Sequence, residues 1–514
     1  MVERVDAVVI GAGLGGLAAA VTLAMQGRHP VVLEQGAVPG GYATAFQRGP
    51  YRFDAALHAL NGLDCGGGVD HLYRELGIGD LLRLHRLDPL YVVRSGDRDL
   101  VAHADPFHYE AELARHFPEQ IEGIRAYLDE AYTVYRESRR LEVDTAAGRA
   151  PDLEGLMRQY PALARAAGET WDQLLRRHVT DPRARGALGA LWGYAGLPPA
   201  HLAATVGAAM TGSYHQHGGW YPEGGAQAIS TALAQSLQAH GGEIRYGHLV
   251  SGLEVENGRV VAVNTDQGLH LAADVVVSNA SAPRTMLDMV GRQHLPVGYV
   301  DQVERPRPGY TTFSVYLGLD RDVPAQQGLP HELFLDPSGD PEVAWRAAQG
   351  GDWDKTAIAV TDYTRVDPGC APPGHAVVVL TTVAPWDHED TWGSGGDLAH
   401  YQDLPRYQAI KQHVSDMLLA RAAEAIPGLL EAVQHREAST PLTNHRYTRS
   451  PRGAIEGYEN TPENSGLGWL PTTTPLPNLH LAGAWTTVGG MNAVMASGQA
   501  AARRAAAETP VPAG

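Results

Sequence analysis

The stretch VDAVVIGAGLGG, residues 5–16, constrains the fold more than any other part of the chain. It begins with a nearly unbroken apolar run, as expected of a parallel strand that is buried on both faces. Gly11, Gly13 and Gly16 follow at once in the spacing G-x-G-x-x-G, and residues 17–25 predict a helix of small and apolar residues. The three glycines allow a tight turn, the approach of a pyrophosphate and close packing of helix on strand. The segment therefore predicts a dinucleotide site at a helix N-terminus.

A carboxylate stands at the end of the next predicted strand. Glu34 follows the apolar residues 31–33 and lies eighteen positions after Gly16. A carboxylate at this place accepts hydrogen bonds from an adenosine ribose and repels a 2′-phosphate. The pair Gly40-Gly41 follows shortly afterwards and allows a second close approach of backbone to ligand, which suits FAD better than NAD. The first forty residues thus predict an FAD site that includes Glu34, Gly40 and Gly41.

The sequence VVLEQGAVPGGYATAF, residues 31–46, resembles the N-terminus of the FAD-dependent phytoene desaturase family. That family also holds carotenoid isomerases and retinol saturases and is related to the flavin amine oxidases. The related oxidases usually carry Arg after the double glycine, where this chain has Tyr42. In the family, a segment similar to Phe53-Asp54 and a following histidine lies beside the flavin. The resemblance therefore implies that His58 forms part of the active-site wall; a hydrogen-bonded structural histidine is the alternative.

Two later segments resemble places where the family's chain returns to the cofactor. GGWYPEGG, residues 218–225, is similar to the family pattern GG-x-x-P-x-GG and implies that Trp220 and Tyr221 lie near the flavin. By the same resemblance, Tyr221 or His58 would move a proton and Trp220 would be a wall. In relatives, backbone near the position of Val250 holds the adenine.

The C-terminal region repeats the pattern of the first element. Residues 479–484 predict a strand that ends at a glycine, and a glycine pair then precedes a helix of small residues. Such a helix N-terminus would point at the flavin end of FAD. Relatives often place Asp after the strand glycine, where this chain has Ala484, so backbone N–H groups must carry more of that contact. The candidate cofactor residues of this region are Gly483, Ala484, Gly490, Met491 and Asn492.

Composition excludes several classes of protein. The net charge of −18 argues against nucleic-acid partners and against electrostatic binding to anionic lipid. Cys65 and Cys370 are the only cysteines, which indicates a reducing compartment and a cytoplasmic protein without a disulfide framework. Cys65 could carry a covalent flavin, although nothing around it requires that. His215-x-His217 has metal-like spacing but no third ligand nearby, so no metal is expected.

The order of predicted elements indicates an α/β protein: a discontinuous Rossmann-like FAD-binding domain with a second, mixed α+β substrate domain. The FAD-binding segments are predicted at residues 1–105, 216–295 and 441–514. The substrate domain is predicted to comprise a helical part, residues 106–215, and a second part, residues 296–440. From this pattern we expect neither a signal peptide before the first strand nor a helix that spans a membrane.

The resemblance implies an FAD-dependent oxidoreductase that acts on a hydrophobic polyene or isoprenoid by desaturation, saturation or cis–trans isomerisation. Such a substrate would come from a membrane, so peripheral membrane contact is expected. One alternative is a flavin oxidase or dehydrogenase of an amine or natural-product scaffold, which a cage of paired aromatic residues would favour; Trp485 is present without an obvious partner. Another is a non-catalytic isoprenoid carrier with the architecture of Rab GDP-dissociation inhibitors, against which the intact glycines and Glu34 count.

Overall fold

The computed structural model of the chain describes residues 3–64, 68–96, 98–146, 149 and 151–508. Cys65 lies outside the described residues. The strands are, in chain order, β1 Glu3–Ile10, β2 Pro30–Glu34, β3 Ala45–Arg48, β4 Tyr51–Asp54, β5 Leu60–Asn61, β6 Leu84–Leu87, β7 Tyr91–Ser95, β8 Arg98–Ala102, β9 Gly219–Pro222, β10 Glu243–Tyr246, β11 Val250–Glu256, β12 Arg259–Thr265, β13 His270–Ser278, β14 Thr311–Leu319, β15 Glu332–Leu335, β16 Ile358–Asp362, β17 Ala376–Ala384, β18 Val433–Ser439 and β19 Leu479–Leu481.

The α-helices are, in the same order, α1 Leu14–Met25, α2 Gly68–Glu75, α3 Pro106–His116, α4 Ile121–Ala146, α5 Leu153–Gln159, α6 Pro161–Ala166, α7 Trp171–His178, α8 Pro182–Leu188, α9 Trp192–Ala195, α10 Ala204–His217, α11 Ala226–Ala239, α12 Val297–Glu304, α13 Val323–Gln326, α14 Pro341–Gly350, α15 Pro405–Ala425, α16 Leu429–Ala432, α17 Pro441–Thr448 and α18 Met491–Glu508. A π-helical turn, Arg284–Gly291, follows β13. No described helix is long and apolar enough to cross a membrane.

The first sheet contains parallel strands that come from distant parts of the chain. Its order is β10-β2-β1-β13, with β19 pairing with β13 on the far side and the β11–β12 hairpin extending the N-terminal half of β13. The central strands are buried on both faces, which explains their continuous valine-rich sequences. The FAD-binding fold that the sequence predicted is therefore present, with strands contributed from both ends and from the middle of the chain.

Close helix packing covers one face of this sheet. Helices α1 and α18 meet where Gly498 faces Gly15, and a methyl group added at Gly498 would overlap the Gly15 carbonyl oxygen. Helix α11 packs against the other side of α1, and alanine-rich sequences make both contacts close. The C-terminal helix is thus fixed to the helix of the first glycine turn.

The second sheet has the order β18-β14-β17-β16-β15-β7-β8. Its neighbours are antiparallel except for β15 and β7, which are parallel. The β7–β8 hairpin therefore belongs to this sheet, although the sequence placed it in the first FAD-binding segment, residues 1–105. The boundary stays a prediction, but its position in space favours a cut before β7.

Sequence and structure differ in local detail. The apolar runs at residues 269–272 and 274–278 predict two strands, whereas the structure has one, β13, because Ala273 continues the pairing with β1. No strand was predicted at Trp220 and Tyr221, but the segment contains strand β9, which pairs with β5 and β6. Strands β15 and β18 were not predicted, since each is too short or too polar to stand out from its surroundings.

Candidate active site and cofactor crevice

A crevice of about 350 Å³ opens at the carboxyl ends of the parallel strands. Residues that follow β1, β2, β13 and β19 line it, which is where open α/β sheets place their ligands. Of the residues predicted from sequence, these line the crevice: Gly11, Gly13, Glu34, Gly40, Gly41, His58, Val250, Ala484, Gly490 and Met491. The structure thus brings together residues from three separate parts of the chain.

The first glycine turn has the geometry that its spacing predicts. Gly11 has φ +88° and donates its N–H to Leu33 O at 2.8 Å, so that the turn is tied to the neighbouring strand. Gly16 lies within α1, and an added methyl group would overlap the carbonyl oxygen of Gly11. Gly40 N–H donates to Ala12 O at 2.8 Å and connects the second glycine pair to the first turn. Backbone from both segments therefore forms one continuous wall.

The side chain of Asn279 lies between two glycine turns, a role that the sequence did not reveal. Asn279 directly follows β13, and its N–H donates to Ile10 O at 2.9 Å. A methyl group added at Gly13 or at Gly15 would lie 2.5 Å from the Asn279 amide, and one at Gly483 would overlap it. One amide group therefore sets the spacing between the N-terminal and C-terminal turns. A polar residue at the end of a buried strand is the signal that could have identified it.

Glu34 lies at the predicted end of β2 and faces the first turn. Its carboxylate accepts hydrogen bonds from the N–H groups of Ala12 and Gly36, each at 2.7 Å. The carbonyl oxygen of Glu34 accepts from His248 N–H at 2.9 Å, which brings the segment before Val250 to the same end of the crevice. This arrangement places the acidic group where the adenosine end of a dinucleotide would lie.

The C-terminal return segment closes the opposite side. Gly483 has φ +88°, and its N–H donates to Ser497 Oγ at 3.1 Å, so α18 supports the turn. Gly490 lines the crevice with φ +91°, and a methyl group added there would meet no described atom within 4 Å. A side chain at this position would occupy the crevice itself. Asn492, by contrast, points away: its amide donates to Asn61 O at 2.8 Å and accepts from Tyr73 OH at 3.0 Å.

Tyr42 replaces the arginine that the related oxidases usually carry after the double glycine. Its hydroxyl donates toward the carbonyl oxygens of Gly453, at 3.1 Å, and Ala454, at 3.3 Å. Cationic groups enter the crevice from elsewhere: Arg284 on the π-helical turn and Arg449 after α17. Burial and the nearby Arg449 lower the pKa of Arg284, as expected for two guanidinium groups close together. Such a pair would attract the phosphates of a dinucleotide.

Glu456 is a partly buried carboxylic acid in the same crevice. Its side chain packs on Gly489, where a methyl group would overlap it, and it lines the cavity together with Ile455 and Tyr310. Burial raises the pKa of Glu456 to about 8. The group is therefore largely protonated near neutral pH and can donate a hydrogen bond within the crevice.

A second cavity of about 390 Å³ lies against one face of the second sheet. Register explains its floor: Ser314, Thr381, Ala359, Phe334 and Val93 lie side by side on successive strands and all line it. Aromatic side chains from the helical region and the connecting segments cover the opposite side; they include Phe117, Trp192, Tyr194 and Tyr310. The cavity is therefore a largely apolar chamber between the sheet and the helices.

The two cavities share a wall. Tyr42, Ala56, His58, Tyr194, Tyr310 and Ile455 line both of them. The other end of the second cavity carries Arg98, Arg183 and Ser338, so the chamber runs from the crevice to a polar end. A ligand in the second cavity would therefore meet the crevice beside His58.

His58 is held by buried polar groups from the second sheet. Its Nδ1 lies 2.8 Å from Thr361 Oγ1 and 3.2 Å from Glu332 Oε1. Burial lowers the pKa of the His58 imidazole, but Glu332 and, more weakly, Asp54 raise it, and the net shift is upward. The ring of Tyr194 lies 5.7 Å away, centroid to centroid. The resemblance thus identified His58, which lies at the junction, the wall that the two cavities share. It did not identify its partners Thr361 and Glu332.

Trp220 and Tyr221 occupy a different place from His58. They stand on β9, and neither is among the described residues that line the two cavities. The Tyr221 hydroxyl donates to Asp54 Oδ2 at 3.1 Å, and the same oxygen accepts from Ala226 N–H at 2.7 Å at the start of α11. Trp220 donates to His217 O at 3.2 Å. A catalytic role for either residue stays a prediction, and their contacts favour a structural one.

A model of the family described as flavin containing amine oxidoreductase matches residues 14–506. The chain belongs to this family. It is 26% identical to prolycopene isomerase 1 of an Oncidium hybrid cultivar over 98% of this chain and 84% of that protein. It is 29% identical to phytoene dehydrogenase of Streptomyces griseus over 97% of this chain and 94% of that protein. Cyclohexylamine oxidase from Brevibacterium oxydans has the same fold, with TM-score 0.62, 18% identity and coverage of 98% of each chain.

Membership of this family confirms an FAD-dependent oxidoreductase and removes the flavin-free carrier from consideration. The residues fit the cofactor: the glycine turns leave the crevice free of side chains, Glu34 marks one end, and Gly490 with the N-terminus of α18 marks the other. Bound there, FAD supplies two-electron redox chemistry, while the protein orients the substrate and excludes water.

Two other patterns from the sequence have structural explanations. His215 stacks on Tyr109 with ring centroids 3.9 Å apart, and burial lowers its pKa to about 3, so it is a neutral core residue. No group of potential metal ligands occurs among the described residues. Trp485 does have an aromatic partner, Tyr458, but their rings meet edge to face at 83° and Tyr458 is buried in the core. This pair is not a cage with two faces open to a substrate.

Proposed function

We propose that this oxidoreductase acts on a hydrophobic conjugated polyene, which it desaturates, saturates or isomerises. The observation that carries the proposal is the shared wall: a chamber with aromatic sides adjoins the cofactor crevice at His58. Aromatic faces stabilise the positive charge that develops on a polyene when hydride is lost or a proton is gained. The relatives named for prolycopene isomerisation and phytoene dehydrogenation support the same class of substrate.

In this proposal the protein's own groups hold the cofactor and handle the proton. Gly11, Gly13, Gly40, Gly41 and the turn at Gly490 contact the dinucleotide through backbone, and Glu34 binds the ribose. Tyr194 and Tyr310 form the aromatic sides where substrate meets cofactor. His58 gives or takes a proton at the reacting carbon, since it lines both cavities.

The proposal is tested by anaerobic incubation of the FAD-loaded protein with phytoene, prolycopene and all-trans-retinol, once with oxidised and once with photoreduced FAD. Products are analysed by chromatography for isomers and by mass spectrometry for a change of two hydrogens. We expect one polyene to react under one of the two redox conditions. Oxidation of cyclohexylamine or putrescine without reaction of any polyene would favour the amine-oxidase alternative instead.

We also propose that the protein is cytoplasmic and reaches its substrate at a membrane surface. Exposed apolar side chains on two consecutive helices support this: Val143 on α4 is 60% exposed, and Leu153 and Met157 on α5 are 70% and 63% exposed. Apolar groups of this kind can enter the boundary between headgroups and acyl chains. Flotation with neutral phosphatidylcholine vesicles tests the proposal, and replacing all three residues by Ser should abolish co-flotation.

A further inference from the structure

Glu332 is a fully buried carboxylate directly behind the junction of the two cavities. It begins β15 and lies opposite Thr361 in the antiparallel pair of β15 and β16. Side chains two residues apart on a strand share a face, so Glu332 and Thr361 lie on the same face as Phe334 and Ala359, which line the second cavity. The sheet face that forms the floor of the second cavity therefore ends, toward the crevice, in the polar pair Glu332 and Thr361.

The polar pair faces one residue in particular. Thr361 Oγ1 donates to Glu332 Oε2 at 2.9 Å, and His58 Nδ1 lies 2.8 Å from the same hydroxyl and 3.4 Å from the same Oε2. Glu332 Oε1 lies 3.2 Å from Nδ1 but outside hydrogen-bond geometry, so an Nδ1–H is directed at Thr361 Oγ1 and Glu332 Oε2. Because the polar contacts of the ring among described residues fall on Nδ1, Nε2 is left on the side of the cavities that His58 lines.

The Glu332 carboxylate is completely buried, so its charge needs a partner. A carboxylate removed from water costs several kcal/mol unless a positive partner and hydrogen bonds compensate it. The other titratable groups around the pair are Asp54, His331, Tyr194, Tyr214 and Tyr363. The tyrosines remain neutral because burial raises their pKa values further. His331 has its two ring nitrogens 2.8 Å from the carbonyl oxygens of His58 and Asp362, and burial lowers its pKa. Of the two imidazoles, His58 is the one whose ring nitrogen contacts the Glu332 carboxylate.

We propose that Glu332 is a positioning residue that keeps His58 as an imidazolium with its Nε2–H directed into the junction, so that His58 serves as a proton donor. The inference rests on the proposed function for its substrate and deepens it, because it distinguishes among the three outcomes. A resident acid suits saturation and isomerisation, which begin by adding a proton to a double bond. Desaturation begins by removing hydrogen and would need an unprotonated base.

In this proposal a proton moves from His58 Nε2 to a carbon of the polyene. The Nε2–H bond breaks, its electron pair stays on the ring, and the π electrons of one double bond form the new C–H bond. The adjacent carbon becomes an allylic cation, delocalised along the polyene and faced by Tyr194 and Tyr310. In isomerisation the former double bond rotates and the proton returns to Nε2, with no net redox change. In saturation the cation takes up a hydride, which is the chemistry that reduced FAD supplies.

The state of His58 can be measured without any substrate. The FAD-loaded protein is labelled with ¹³Cε1-histidine, and the His58 resonance is assigned as the one missing from His58→Gln. We expect His58 to be charged at pH 7 in the wild type and neutral in Glu332→Gln, which keeps the size of the side chain but removes its charge. Asp362→Asn is the matched control: Asp362 is buried on the same strand as Thr361 but faces the opposite side, so His58 should stay charged.

Two results would overturn the assignment: a neutral His58 in the wild type at pH 7, or a charged His58 in Glu332→Gln. If Glu332→Gln does not fold, Thr361→Val provides a second variant. It removes the hydroxyl that bonds to both Glu332 and His58, so the titration midpoint of His58 should shift. Glu332→Gln should also slow saturation or isomerisation about 10- to 100-fold at pH 7, with KM little changed. If His58 titrates as expected but no polyene reacts, the proposed function is refuted and the Glu332 assignment stands.

Discussion

The cofactor crevice and the second cavity are built by different means. The crevice is made mostly of backbone: glycine turns at Gly11, Gly40 and Gly490 leave space for a ligand, and each turn is local in the sequence. The second cavity is made mostly of side chains, which come from many strands and helices, up to four from one strand. Glycines in a backbone site tolerate few substitutions. Side chains that line a cavity can be substituted while the strands and helices that carry them stay in place. The fold can therefore keep one cofactor while its substrates differ.

The sharpest test of the backbone site is Gly16→Ala. The added methyl group would overlap the Gly11 carbonyl oxygen and lie 3.1 Å from Asn279 Cβ, and neither neighbour can move without opening the turn. We expect the free energy of unfolding to fall by at least about 2 kcal/mol and FAD to be lost on purification. Thermal unfolding and flavin absorbance measure both effects.

Gly252→Ala is the control for this substitution. Gly252 stands in β11, and an added methyl group there would meet no described atom within 4 Å. Its effect on stability should stay below about 0.5 kcal/mol. Equal losses in the two variants would mean that the glycine turn is not the tightly packed element described above.

Asn279→Leu tests whether one side chain sets the spacing of two turns. Leucine has a branched end where the amide is flat, and it would press on Gly13 and Gly483. We expect the Kd for FAD, measured by quenching of flavin fluorescence, to rise at least about tenfold, which corresponds to about 1.4 kcal/mol. Asn279→Asp keeps the shape and should weaken FAD binding less. Unchanged affinity in Asn279→Leu would show that the turns are positioned without this side chain.

Glu456→Gln tests the acid in the crevice through pH. Burial raises the pKa of Glu456 from 4.5 to about 8, so between these values the folded state binds more protons than the unfolded state. Stability of the wild type should therefore fall as pH rises from about 5 to 8, by about 1 to 3 kcal/mol from this group. Glutamine has no such charge, so the variant should gain stability over the wild type as pH rises.

Thermal unfolding of the flavin-free protein at pH 5, 7 and 9 measures this difference. Glu431→Gln is the control, because Glu431 is exposed and its replacement should give a difference that does not grow with pH. A pH-independent difference for Glu456→Gln as well would mean that its carboxyl group is solvated in the folded protein.

The same contrast explains what the sequence could predict. The strand–glycine–helix pattern, Glu34 and the C-terminal glycine pair each lie within a few residues, and their local geometry follows from residue type. The sequence likewise predicts a helix over residues 226–239 and strands over residues 243–246 and 250–256, and α11, β10 and β11 have these bounds. Family membership confirmed the cofactor that these patterns indicated.

Contacts between distant parts of the chain were not predictable in this way. Glu332 and Thr361 meet His58 only because β15 and β16 pair in one register, and 274 residues separate His58 from Glu332. Asn279 acquires its position from two turns that are far apart in the sequence. The resemblance suggested Trp220 and Tyr221 by position, but it could not show that β9 pairs with β5 and β6 and faces Asp54.

Tyr221→Phe is expected to have the smallest effect on catalysis, because Tyr221 is not among the residues that line either cavity. Without the hydroxyl, Asp54 still accepts hydrogen bonds from the N–H groups of Ala226, Leu57 and Ala56 at 2.7, 2.9 and 3.2 Å. Stability should fall by about 0.5 to 1.5 kcal/mol, while kcat stays within about twofold of the wild type. A tenfold fall in kcat at unchanged stability would show that this hydroxyl takes part in catalysis. Such a result requires that the hydroxyl contacts substrate or cofactor, since a structural role would lower stability as well.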